Sequence, residues 1–172
     1  MSNLVHKLIY KSANQAPDLD ALVYRGTKKD YATLSEAVEN VASNLISLGL
    51  YRGERLAVYL EKCHETVISL FGTAAAGGVF VPVNPILKPE QVSYILCDCN
   101  VKVLVTSVDR LNLLITVLPQ CPDLHTIIVV DSTEKLPVIS KLNFIPWDQL
   151  CSPSVSVRGF RIIDSDMAAI LY

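Results

Sequence analysis

The chain has 172 residues, 51% of them hydrophobic, which is enough apolar material for one complete core and too much for a disordered or fibrous protein. Its formal charge is −2, with Lys and Arg scattered along the sequence, so no basic stripe offers itself to nucleic acid. The five cysteines form no framework of spacings and are odd in number, which fits reduced thiols in a cytoplasmic protein and not a secreted disulfide scaffold.

Near the start, Leu4, Val5, Leu8 and Ile9 recur at helical spacing behind Ser2 or Asn3, predicting an amphipathic helix that docks on the core. Residues 22–25 and 30–32 flank Gly26-Thr27-Lys28-Lys29 and predict a hairpin with a polar turn. Thr33-Leu34-Ser35-Glu36 has the form of a capping box. A helix is expected after it, with Leu34, Val38, Val41, Ala42, Leu45 and Leu48 on one face and Gly49 at the left-handed terminus. Beyond the turn at Arg52-Gly53-Glu54, strands over 55–60, 79–83, 101–106 and 126–130 alternate with helices over 64–76, 89–97 and 109–118. This alternation predicts an α/β fold, a largely parallel sheet with helices on both faces, preceded by the short hairpin. Residues 131–166 read as irregular connection with one helical turn at Trp147 to Leu150, and 167–172 (MAAILY) read as the start of a buried strand.

Residues 66–87 contain no charged side chain and approach the length of a membrane span. Pro82 and Pro85 within them, and the absence of a flanking basic cluster, favour a buried helix followed by a buried strand. No membrane span is expected. Cys63 and His64 are neighbours on a helix and do not face each other, and Cys97-x-Cys99 lacks a second ligand pair, so neither predicts chemistry or a metal site. The several aspartates fit caps and turns.

Within this order one block is distinctive: AAAGGVFVPVNP over 74–85, a helix running through a double glycine into a β-branched strand closed by Pro-x-Asn-Pro. With the Gly-Glu-Arg start of the strand at 53–60, the run KPEQVSYILCDCNVKVLVT and the segment 166–172, it resembles the N-terminal part of the AMP-forming adenylating enzymes: acyl-CoA synthetases, luciferases and peptide-synthetase adenylation domains. Asn84 resembles the acyl-CoA ligase branch, and 74–96 is most similar to bacterial ligases associated with exosortase systems.

The resemblance implies one N-terminal subdomain, 1–172, of the adenylate-forming fold, ending just before the phosphate-binding loop. It implies a parent ligase that uses ATP and Mg to activate a carboxylic acid and CoA to accept it, with the rest of the enzyme as partner. The chain has no G-x-x-x-x-G-K-[ST] or G-x-G-x-x-G motif, and Gly72, Gly77 and Gly78 lack a nearby lysine, so helix packing and a turn are their expected roles. The fragment alone is expected to be inactive, with no catalytic and no metal residues of its own, to bind no cofactor tightly, and to self-associate through a face that the rest of the enzyme would cover.

By the same resemblance Asn84, Pro85, Ile86 and Arg110 border the CoA tunnel, where the guanidinium can pair with a phosphate. Asn84-Pro85 is equally a good structural turn. Asp166 matches an acidic residue that fixes the start of the family's next strand. Two rivals remain open: a peptide-synthetase adenylation domain loading a carrier protein, and a complete non-catalytic α/β binding module.

Overall fold

The computed structural model describes residues 4–131, 139–153 and 159–172. Helix α1 (Lys7–Gln15) buries Ile9 in the core, as expected of a docking helix, but it begins after His6 and has no side-chain cap. Ser2 and Asn3, the expected caps, lie outside the described residues. Strands β1 (Asp20–Tyr24) and β2 (Thr27–Asp30) form an antiparallel hairpin. Its turn is tighter than the sequence implies: Arg25 and Gly26 make it alone, with φ of 48° and 81°, and Thr27, Lys28 and Lys29 belong to the strand. Two successive positive φ angles match the twist of the flanking strands, which a four-residue polar turn would not require.

Helix α2 (Tyr31–Ser47) starts earlier than the capping box predicts. Asp30 is the cap, its Oδ1 accepting the Thr33 N–H at 2.7 Å, so Thr33 is a capped residue and not the capping one. The expected apolar face holds, with Leu34, Val38, Val41, Ala42 and Leu45 buried, and Gly49 ends the helix at φ 90°. Then come β3 (Arg55–Tyr59), α3 (His64–Ala75), β4 (Val79–Pro82), α4 (Pro89–Asp98) and β5 (Val101–Thr106), each within about one residue of expectation. Helix α5 (Val108–Leu114) is shorter than the expected 109–118. The β-branched run Ile115-Thr116-Val117 before Pro119 disfavours further helix, and a 3-10 turn, Leu118–Gln120, takes over.

Strand β6 (Thr126–Val129) is fully buried, and β7 (Asn143–Pro146) beside it is a strand inside the stretch expected to be irregular. One buried side chain, Ile145, between an exposed Asn143 and an exposed Pro146 leaves little alternation to read, as is usual on a sheet edge. Helix α6 (Trp147–Cys151) is the expected single turn.

The main sheet has the order β4-β3-β5-β6-β7 with every pair parallel. Leu56, Val58, Val103, Val105 and Ile128 face a layer that includes residues of α1, α2, α3 and α6, while Ala57, Tyr59, Leu104, Ile127 and Val129 face α4 and α5. The glycines serve packing and turns. A Cβ on Gly72 would lie 2.5 Å from Val41 Cγ1, so α2 and α3 touch there, and Gly77 turns the chain at φ 84°. Among the described residues no helix is long and apolar enough to cross a membrane.

Residues 167–172 do not form the buried strand that their composition predicts. They run beside β4 with one parallel bridge, Phe80 to Ala169, made by Phe80 N–H to Ala168 O at 3.0 Å and Ile170 N–H to Phe80 O at 3.1 Å. Met167, Leu171 and Tyr172 stay exposed, because no described residue covers their outer side.

Candidate functional site

In the order β4-β3-β5, the chain leaves β3 to one side and β5 to the other, so the loops after β3 and β5 diverge at the carboxyl edge of the sheet, the place of the ligand crevice in open α/β folds. Ligands of open α/β sheets collect at such a switch point. Three of its walls come from the loop after β3, the loop after β4 and the first turn of α5.

The loop after β4 is held by its own chemistry. Val83 N–H still pairs with Val58 O at 2.9 Å; then Asn84 Oδ1 accepts the Ile86 N–H at 3.1 Å, and Leu87 N–H closes on Asn84 O at 3.1 Å. This is an Asx turn with proline at its second position. It leaves Ile86 83% exposed, a large apolar side chain open to solvent. Tyr59, buried at the end of β3, ties the far end of the loop by donating its hydroxyl to Leu87 O at 2.9 Å.

Arg110 lies in the first turn of α5, after the cap Ser107, whose Oγ accepts its N–H at 3.4 Å. Its guanidinium stacks over the Tyr59 ring at 5.0 Å, donates through Nη1 to the carbonyl of Pro85, and reaches Glu61 Oε1 at 3.2 Å through Nη2. One side chain therefore spans all three walls. The arginine side chain is 16% exposed and its glutamate partner 63%, so the solvent side of the pair can exchange. The four sequence-derived residues are thus brought together. Tyr59 and Glu61 join them unannounced; the only signal for either was its position at the end of a predicted strand.

A second cavity, about 630 Å³ and open, lies at the opposite edge, lined in part by Arg52, Arg55, Asp98 and Asp166. Its charges are consumed internally. Arg52 clamps Asp166 through Nε at 3.0 Å and through Nη2, Ile163 N–H adds a third bond at 3.0 Å, Arg55 donates to the Cys99 and Asn100 carbonyls, and Tyr172 donates to Asp98. The Arg52 bond and then the Ile163 amide hold the Asp166 carboxyl below the usual carboxylate range. That aspartate thus anchors the start of the 167–172 segment.

The other sequence candidates do not assemble. Cys63 Sγ lies 3.3 Å from Thr66 Oγ1, and the buried His64 ring packs edge-on against Tyr24. Among the described residues no three His, Cys, Asp or Glu side chains gather at metal-binding spacing.

The model of the family described as "AMP-binding enzyme" matches residues 9–172. A long-chain-fatty-acid–CoA ligase of Bacillus subtilis strain 168 is 30% identical over 168 residues, 98% of this chain and 28% of the ligase. Nonribosomal peptide synthetase 5 of Gibberella zeae is 27% identical over 151 residues, 88% of this chain and 1% of the synthetase. The crystal structure of the coronafacic acid ligase from Pectobacterium brasiliense superimposes with a TM-score of 0.88 at 19% identity, covering 100% of this chain and 33% of that one. The chain therefore spans less than a third of the length of these curated relatives.

Proposed function

The chain belongs to the AMP-binding enzyme family, and from that membership we propose that it is the N-terminal subdomain of an AMP-forming acyl-CoA ligase. The complete enzyme would join a carboxylic acid to AMP from ATP, release pyrophosphate and pass the acyl group to the thiol of CoA. This chain alone would be inactive.

Residue chemistry argues for that division. Gly72 and Gly78 are closed in by Val41, Leu50 and Thr73, and Gly77 serves a turn, so none of the three offers a phosphate cradle. CoA fits better. Arg110, fixed at the switch point by the Pro85 carbonyl and the Tyr59 ring, would hold a CoA phosphate by releasing the exposed Glu61, while Asn84 and Pro85 shape the rim and Ile86 offers an apolar contact. The spanning of the crevice by Arg110 is the observation that carries the CoA assignment.

A second reading, a peptide-synthetase adenylation domain, draws on the 27% identity to the Gibberella zeae synthetase. It differs in the acceptor. The complete gene product, supplied with ATP and a panel of carboxylic acids, separates the two: our reading predicts a free acyl-CoA thioester, and acyl transfer only to a pantetheinylated carrier domain would replace it with the second.

Five free thiols fit a cytoplasmic site of action. The exposed Met167, Leu171 and Tyr172 beside the β4 edge fit a face that the rest of the enzyme covers, and on the isolated chain self-association would cover it instead.

A further inference from the structure

Away from the crevice, two thiols meet on the α4 side of the sheet. Ser93 and Cys97 are one turn apart on α4 and share a strip of its surface. That strip faces the segment after α5: Cys121 Sγ lies 3.7 Å from Ser93 Oγ, and Cys97 Sγ donates at 3.3 Å to the carbonyl of Gln120, the residue just before Cys121. Burial pushes the Cys121 thiol up to about 11; against a lowering by the Ser93 hydroxyl, the adjoining Cys97 thiol pushes the same way. Cys97 is half-buried and open to small molecules, while Cys121 is buried behind it.

We propose that Cys97 and Cys121 form a reversible dithiol switch, closed to a disulfide by hydrogen peroxide and reopened by a small-molecule thiol. Cys97 gives up its proton and its sulfur attacks one peroxide oxygen; the O–O bond breaks, the departing hydroxide takes up that proton as water, and Cys97 is left as the sulfenic acid. Cys121, ionising, then displaces hydroxide from the Cys97 sulfur; the S–S bond forms, and the hydroxide takes the Cys121 proton as a second water. Two thiols lose two electrons and one peroxide gains them.

The pairing is selective. Cys99 turns the other way, its thiol donating to the Tyr172 hydroxyl at 3.5 Å. Cys63 and Cys151 pack in the layer on the opposite face of the sheet. Closure would tie the end of α4, which follows the Asn84 loop, to the segment that follows α5, which carries Arg110. The switch would therefore restrain both elements behind the crevice.

Peptide mapping of the reduced chain after peroxide treatment and alkylation tests this. The expected result is loss of two of the five thiols, a joined peptide pair containing positions 97 and 121 with a mass lower by two hydrogens, and its separation by dithiothreitol. Cys97→Ser and Cys121→Ser should each abolish the pair, with folding checked by circular dichroism. Should Cys121→Ser fail to fold, the wild-type map and Cys97→Ser still decide. Joining through Cys99 or between molecules, or Cys97 passing to the sulfinic acid while Cys121 stays free, would overturn the proposal.

Discussion

At the scale of single residues, Arg110 combines a charge-assisted bond, a carbonyl bond and a ring contact in one side chain. Arg110→Ala should therefore cost about 2 kcal/mol in urea unfolding, while Arg110→Lys recovers only part because an ammonium cannot span both partners. In the complete enzyme the Ala variant should raise the KM for CoA about tenfold, the equivalent of one lost phosphate contact, and leave the KM for ATP unchanged. A selective rise for ATP would contradict the assignment of this residue.

Acid should act on single residues in two stages. His6 is held below its ordinary 6.5, first by burial and then by Lys7, against a bond to the Ala74 backbone. The unfolded chain then binds the proton more readily, so stability is full above 6.5 and falls as the pH drops below it. Asp30, Asp123 and Asp166 are held below 3.8, mainly by bonds from Thr33, Lys102 and Arg52 respectively. Their contribution is full above that value and is lost as the pH falls through their depressed range. Urea midpoints measured from neutral pH to about pH 3 should show both stages, and His6→Gln should remove the first alone.

At the scale of elements, the cap of α2 gives a sharp comparison. Asp30→Ala should lower the urea midpoint by more than Thr33→Ala, because Asp30 supplies the acceptor for the Thr33 N–H, whereas Thr33→Ala removes only the side-chain bond to that carboxylate. The capping box at Thr33 and Glu36 misassigns a real signal: Asp-x-x-Thr and Thr-x-x-Glu overlap, and only the structure tells which residue leaves the helix. Gly72→Ala should cost about 1–3 kcal/mol, since its Cβ would press on Val41 where α2 crosses α3, and a cost near zero would mean the two helices can part freely.

The elements most legible in the sequence were those buried on both faces. Strands β3, β5 and β6 are apolar runs broken only by Arg55, Lys102 and terminal threonines, and α2 repeats its apolar residues with a helical period; both follow from what their neighbours must exclude. β7 escaped because an edge strand needs only one buried side chain, and 167–172 misled because apolar composition reports a demand for cover and not its fulfilment. In the crevice, Asn84, Pro85, Ile86 and Arg110 came from a family resemblance. Glu61 and Tyr59 could not be paired with Arg110 by spacing, since those contacts join residues far apart in sequence.

At the scale of the whole molecule, the sheet closes its core on both faces but leaves β4 with a partner bridged at a single position. Size-exclusion chromatography with light scattering should find dimers or larger species that grow with concentration, and Leu171→Glu with Tyr172→Glu should shift them to monomer. A wild-type monomer at high concentration would remove self-association from the account.

On the proposed function, this chain is scaffold and CoA-side wall for a carboxylic-acid-activating ligase, with nucleotide chemistry supplied elsewhere. Acid-dependent exchange of labelled pyrophosphate into ATP tests it most directly. Exchange is expected from the complete gene product with at least one carboxylic acid, and none from the 172-residue chain. Exchange by this chain alone, or release of ADP in place of AMP by the complete product, would contradict it.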